Sequence, residues 1–160
     1  MTVRTYLAAI ACFVPLACAA ARFDAVVSHV TDGDTIWVRP VHGGPPQQVR
    51  IEGIDAPEIC QAFGDRSRAA LAARVLRKRV TLATRGEDDY RRTIARVRIG
   101  KQDIGAWMVT HGYAWSYRFR QDRGPYARQE ARARAAGAGL WASGDADIPR
   151  DFRVRNGPCH

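Results

Sequence analysis

Two short runs, "TDGDT" (31–35) and "IDAPEIC" (54–60), gather carboxylates in a chain that otherwise favours arginine. Asp34 follows a glycine at the start of one strand-like run, and Asp55 lies just past the end of another. Hard divalent cations take oxygen ligands of this kind, and a cage with only two acids keeps positions open for water and a substrate phosphate. Arg50 stands on the outward face of the run that leads into Asp55, so it can point to the same rim. A guanidinium binds two phosphate oxygens at once, which suits the charge that develops in phosphoryl transfer. Glu58, just past the rigid Pro57, can act on a water as general base or hold it in line. Later, "DDYRRTIARV" adds Tyr90 and Arg92 at the start of another strand-like run. Alone, Asp-Gly-Asp reads as an ordinary turn with Asx capping, and any one arginine as a surface charge. Their occurrence together, in an ordered frame, is what points to chemistry.

The elements that must position these groups are short. "FDAVVSHV" is apolar and β-branched, and "TDGD" then turns the chain. "TIWVRP" alternates, with Ile36 and Val38 on one face and Thr35, Trp37 and Arg39 on the other. "VHGGPPQQ" is a loop by composition. "QVRIEGI" alternates again, with Val49 and Ile51 facing a core and Arg50 and Glu52 facing away. "GDRSRAALAARVLRKR" predicts a helix with an apolar stripe through Ala69, Ala72, Ala73 and Leu76. "VTLAT" and "RTIARVRI" predict two further strands. "QDIGAWMVTHGYA" suits a short helix ended by Gly112, and "YARQEARARAAGAGLW" one ended around Gly137 or Gly139. Helices do not alternate with every strand, so a small closed β-barrel is expected rather than a parallel sheet.

At 160 residues the chain is long enough for one core, and its formal charge of +9 favours polyanionic partners. The first 19 residues place Arg4 before an uncharged apolar run that ends in small residues. That is the pattern of an export signal peptide, cleaved near Ala19 or Ala21, and not of a lasting membrane span. Lipid attachment at Cys18 is the less favoured variant, because Pro15 is a poor residue at the start of such a box. Cleavage would take Cys12 and Cys18 away, leaving Cys60 and Cys159. An even pair in an exported protein favours a disulfide. The four histidines, His29, His42, His111 and His160, lack metal-ligand spacing, so a zinc site is not expected.

The blocks "VTDGDTIWV", "VRIEGIDAPE", "DDYRRTIA", "THGYAW" and "ARAAGAGLW" resemble, in order, those of the staphylococcal nuclease (thermonuclease) family. The resemblance runs from about Phe23 to Trp141. It implies an α+β fold, mainly β: an OB-type five-stranded barrel with three α-helices. It also implies Ca²⁺-dependent, sugar-nonspecific cleavage of DNA and RNA to 3′-phosphorylated products. Carried over by position, Asp34, Asp55 and the backbone carbonyl of Ala56 would be the Ca²⁺ ligands. Arg50 and Arg92 would hold the reacting phosphate, Glu58 would be the base, and Tyr90 would contact a neighbouring phosphate or base. Tyr117 is a looser candidate for the nucleotide pocket, with a barrel-covering aromatic as the other reading. Three departures stand out: Ala56 for threonine, Asp89 where a basic residue is usual, and Arg91 in place of a glycine. If that glycine takes a positive φ, Arg91 would strain the turn and could displace Arg92.

The expected layout is therefore a signal peptide (1–19), an OB-type domain (22–145) and a C-terminal tail (146–160), acting as a monomer. Single-stranded DNA, RNA and breathing duplex are the expected substrates. The alternative is a silent OB-type barrel that only binds nucleic acid. A pure binder gains nothing from Asp34, Asp55 and Glu58, which repel phosphate unless a cation intervenes.

Overall fold

The computed structural model describes residues 21–117, 122–157 and 159. The expected signal peptide, with Cys12 and Cys18, and His160 lie outside the described residues. The alternating runs form strands β1 (Arg22–Val30), β2 (Thr35–Pro40) and β3 (Gln47–Ile51), with β4 (Ile54–Asp55) just beyond. Helix α1 (Gly64–Val75) follows, then β5 (Arg79–Glu87), β6 (Thr93–Ile99) and β7 (Gln102–Asp103). The chain ends with α2 (Ile104–Thr110), β8 (Trp115–Ser116), α3 (Ala127–Ala135), a 3-10 turn Gly139–Trp141, and α4 (Pro149–Asn156).

Strands β3, β2, β1, β5 and β6 pair in that order, each antiparallel to the next. Parallel pairing of β3 with β6, Val49 opposite Thr93 and Ile51 opposite Ala95, closes the barrel. The five-stranded barrel expected from the sequence is the one found. Register shifts in β1 after Val27 and in β5 after Thr84 supply bulges that sharpen its curvature. Inside lie Val27, Ile36, Val38, Val49, Ile51, Val80, Leu82 and Val97, all essentially inaccessible to solvent. Each such side chain contributes about 1.5–3 kcal/mol relative to exposure. Among the described residues no helix is long and apolar enough to cross a membrane.

Four details differ from the sequence reading. Thr35 is fully buried, not outward, because its hydroxyl donates to Asp34 Oδ1 at 3.0 Å beneath the cleft. Helix α1 stops at Val75, since Arg77 takes φ +61° and Arg79 already pairs with Val26. Its buried stripe is Ser67, Leu71 and Val75, while Ala69 and Ala73 are exposed. Alanine tolerates either face, so the run of alanines did not reveal the helix's phase. Finally, the expected tail contains a fourth helix, α4, where three helices were expected. Its Pro149 starts the helix, and Arg153 and Arg155 stand in the last turn, all favourable positions.

Candidate active site

The pairing of β2 with β3 sets Thr35 opposite Arg50, and so brings Asp34 to Arg50. The turn before β2 is held by Asp32, whose Oδ1 accepts from the Asp34 amide at 2.9 Å. The Asx turn is therefore real, and it serves to aim Asp34. Gly33 has no room for a side chain: a Cβ there would lie 2.0 Å from Ser67 Oγ and 2.6 Å from the Ala56 methyl. Helix α1 and the Ala56 loop thereby press directly on this turn. The Ala56 amide donates to Asp34 Oδ2 at 3.0 Å.

Arg50 spans both clustered acids. Its Nη1 donates to Asp34 Oδ1 at 2.7 Å, and its Nη2 to Asp55 Oδ1 at 3.2 Å. Both carboxylates are buried, at 3% and 5% exposure. Burial raises the Asp34 pKa, but Arg50, the Ala56 amide and the Thr35 hydroxyl outweigh it and hold the carboxyl below its ordinary value. Asp55 goes the other way, raised by burial and then by the charge of Asp34, against the pull of Arg153 and Arg50. Asp32 is pushed up to about 7 by burial and by Asp34.

That last shift has a measurable consequence. A carboxyl whose folded pKa lies above its unfolded value contributes stability fully present below about pH 4. This contribution is lost as pH rises through about 7. Asparagine keeps the Oδ1 acceptor of the Asx turn without the charge. In chelator, the stability of Asp32→Asn relative to the parent should therefore increase between pH 4 and pH 8, by up to about 4 kcal/mol. Urea denaturation of both proteins across that range checks it, and a flat difference would refute the assignment.

The turn from β5 to β6 brings the remaining groups. Arg92 Nε donates to Asp88 Oδ2 at 2.8 Å, its Nη2 pairs with the same oxygen at 2.7 Å, and its amide donates to Asp88 Oδ1. Burial raises Asp88, but these donors outweigh it and lower its pKa. The neighbouring acid that matters to Arg92 is therefore Asp88, not Asp89. Arg91 does adopt φ +62°, yet Arg92 still turns into the cleft, since Asp88 grips both its backbone and its side chain. A non-glycine residue in this region costs about 1 kcal/mol. Arg91→Gly should accordingly raise the unfolding free energy, read from urea denaturation, by up to about 1 kcal/mol while leaving activity near the parent's. A less stable variant would show that Arg91 gains something the turn needs.

Tyr90 is 80% exposed, with the Arg92 guanidinium 5.1 Å from its ring centre. Tyr117, 42% exposed, lies 6.0 Å from Arg50 and faces the same cleft, so it is not buried against the barrel. The structure thus brings Asp34, Arg50, Ala56, Glu58, Tyr90, Arg92 and Tyr117 to one cavity of about 430 Å³, with Asp55 beneath it on Arg50. Cys60 and Cys159 are joined, with Cα atoms 5.8 Å apart.

Arg153, on α4, went unrecognised in the sequence. Its Nη1 donates to Glu58 Oε1 at 2.5 Å, and its Nη2 pairs with Asp55 Oδ2 at 3.3 Å. Only the anchoring of Cys159 next to Glu58 could have signalled it.

The donor set suits a hard cation. Asp32, Asp34, Asp55 and Glu58 outnumber by two formal charges the arginines that pair with members of this group, Arg50 and Arg153. All the side-chain donors are oxygens, which favours calcium or magnesium over softer metals. Among the described residues no three His, Cys, Asp or Glu side chains form a metal-ligand group, so two carboxylates need help from backbone and solvent oxygens.

Residues 48–143 match the family model described as "Staphylococcal nuclease homologue". The chain belongs to that family. An uncharacterised endonuclease of Haemophilus influenzae is 38% identical to this family member over 137 residues, covering 86% of this chain and 76% of that protein. Protein ParB of Escherichia coli is 37% identical, covering 91% of this chain and 88% of that protein. The micrococcal nuclease of Shigella flexneri is 35% identical, with 83% and 82% covered. Membership of the staphylococcal nuclease family supports a metal-dependent hydrolase acting on nucleic acid.

Proposed function

We propose that the protein is a calcium-dependent, sugar-nonspecific endonuclease that leaves 3′-phosphorylated ends on DNA and RNA. The observation that carries this reading is Arg50 bridging two buried carboxylates beside Glu58. Asp34, Asp55 and the Ala56 carbonyl would hold Ca²⁺, which when bound supplies positive charge to the scissile phosphate. Arg50 and Arg92 bind the phosphate oxygens and stabilise the charge that grows on them. Glu58 takes a proton from water as the water oxygen bonds to phosphorus. The bond from phosphorus to the 5′-oxygen breaks, and that oxygen leaves with a proton from solvent. Tyr90 and Tyr117 offer exposed rings to the nucleotides on either side.

Contacts to phosphate carry no sequence information, so cleavage should be indifferent to sequence and weaken steeply with salt. The carboxylates argue against a silent binding module, since they oppose phosphate unless a cation intervenes. The Cys60–Cys159 bridge supports export through the N-terminal segment into an oxidising compartment. Digestion of single-stranded DNA in calcium, then in chelator, tests the reading. Cleavage should stop on chelation, and activity unchanged by thorough chelation would overturn the metal assignment.

A further inference from the structure

The geometry points to Arg153 as a positioning residue for Glu58, held in place by the Cys60–Cys159 disulfide. The inference rests on the nuclease reading above and goes beyond it by adding a C-terminal element to the site.

Arg153 clamps one oxygen of Glu58. Its Nη1 donates to Oε1 at 2.5 Å, and no described residue donates to Oε2. A base that must take a proton from water needs one oxygen free and the other fixed, and this arrangement supplies both. The guanidinium also reaches Asp55, with Nη1 and Nη2 between 3.3 and 3.4 Å from its oxygens. Arg153 therefore ties the base to the floor of the site. It remains 35% exposed at the cleft wall.

What holds Arg153 there is not a hydrophobic face. Of the residues in α4 only Pro149 is buried, and Val154 is 81% exposed. The helix is anchored by ion pairs and by the disulfide at its end. Arg155 pairs with Asp147, and Gln61 donates to the Asp147 carbonyl at 2.6 Å. Cys60, two residues after Glu58, is bonded to Cys159, six after Arg153. The bridge thus joins the two short segments that carry the clamped pair.

The test is steady-state cleavage of a single-stranded oligonucleotide by the oxidised parent, Arg153→Ala and Arg153→Lys, all in calcium. A positioning role predicts that Arg153→Ala loses about 10- to 100-fold in kcat, with KM within about twofold, since misplacing a base costs rate rather than binding. Arg153→Lys should recover part of the loss, and millimolar guanidinium ion should partly rescue Arg153→Ala. Opening the bridge with dithiothreitol should lower kcat of the parent but leave Arg153→Ala unchanged. A rise in KM alone would make Arg153 a phosphate ligand, and a rise in kcat would make it an inhibitory plug. Unchanged kinetics would leave it a structural ion pair. Each of these three outcomes overturns the inference while the nuclease reading stands. A parent that cleaves nothing overturns both.

Discussion

Replacing Arg50 by lysine should cost at least about two orders of magnitude in turnover, because an ammonium cannot span two oxygens as a guanidinium does. In the structure the fork already bridges two separate carboxylates, at 2.7 and 3.2 Å. It is the only side chain that donates to both Asp34 and Asp55 among the described residues. The same geometry fits two oxygens of a phosphate once those carboxylates are neutralised. Lysine keeps the charge, so an effect of this size would belong to fork geometry and not to net charge. Glu58→Gln is the companion variant, expected to be similarly impaired in turnover while nucleotide binding survives. Rates on single-stranded DNA, with folding checked by denaturation midpoint, decide the matter. Near-normal turnover in both variants would place the active site elsewhere.

Much of this site was legible in the sequence because it rests on period-two strands. Ile36 and Val38, then Val49 and Ile51, announce which faces go inward, and that fixes Arg50 toward the rim beside Asp34. The barrel's closure was harder to see, since parallel pairing of β3 with β6 joins residues more than forty positions apart. The phase of α1 was hidden because alanines suit either face. Choosing between Asp88 and Asp89 needed the turn itself, where the Arg91 amide donates to the Asp88 carbonyl at 2.9 Å. Arg153 was illegible for a different reason. "PRDFRVRN" is short and polar, with no apolar stripe to declare a helix or its docking face. Its position is imposed from outside, by a covalent bond across 99 residues and by acids far earlier in the chain, Asp55 and Glu58.

Breaking that bond should lower stability by about 2–4 kcal/mol. The chain-entropy account gives about 4–5 kcal/mol for a loop of this length, because the bridge restricts the unfolded chain. Two features of this chain reduce the figure. Helix α4 buries only Pro149, so without the bridge the native state also gains freedom as the helix detaches. The barrel core, from Ala25 to Tyr126, lies outside α4 altogether and keeps its packing. Urea denaturation of a Cys60→Ala/Cys159→Ala double variant against the oxidised parent measures the loss. A midpoint shift worth less than about 1 kcal/mol would mean that α4 docks as well unaided. A loss above about 5 kcal/mol would mean that the barrel itself depends on the bridge, and that α4 is part of its folding unit. The expected middle value describes a core that folds by hydrophobic closure, with a helix held over its carboxylates by one covalent tie.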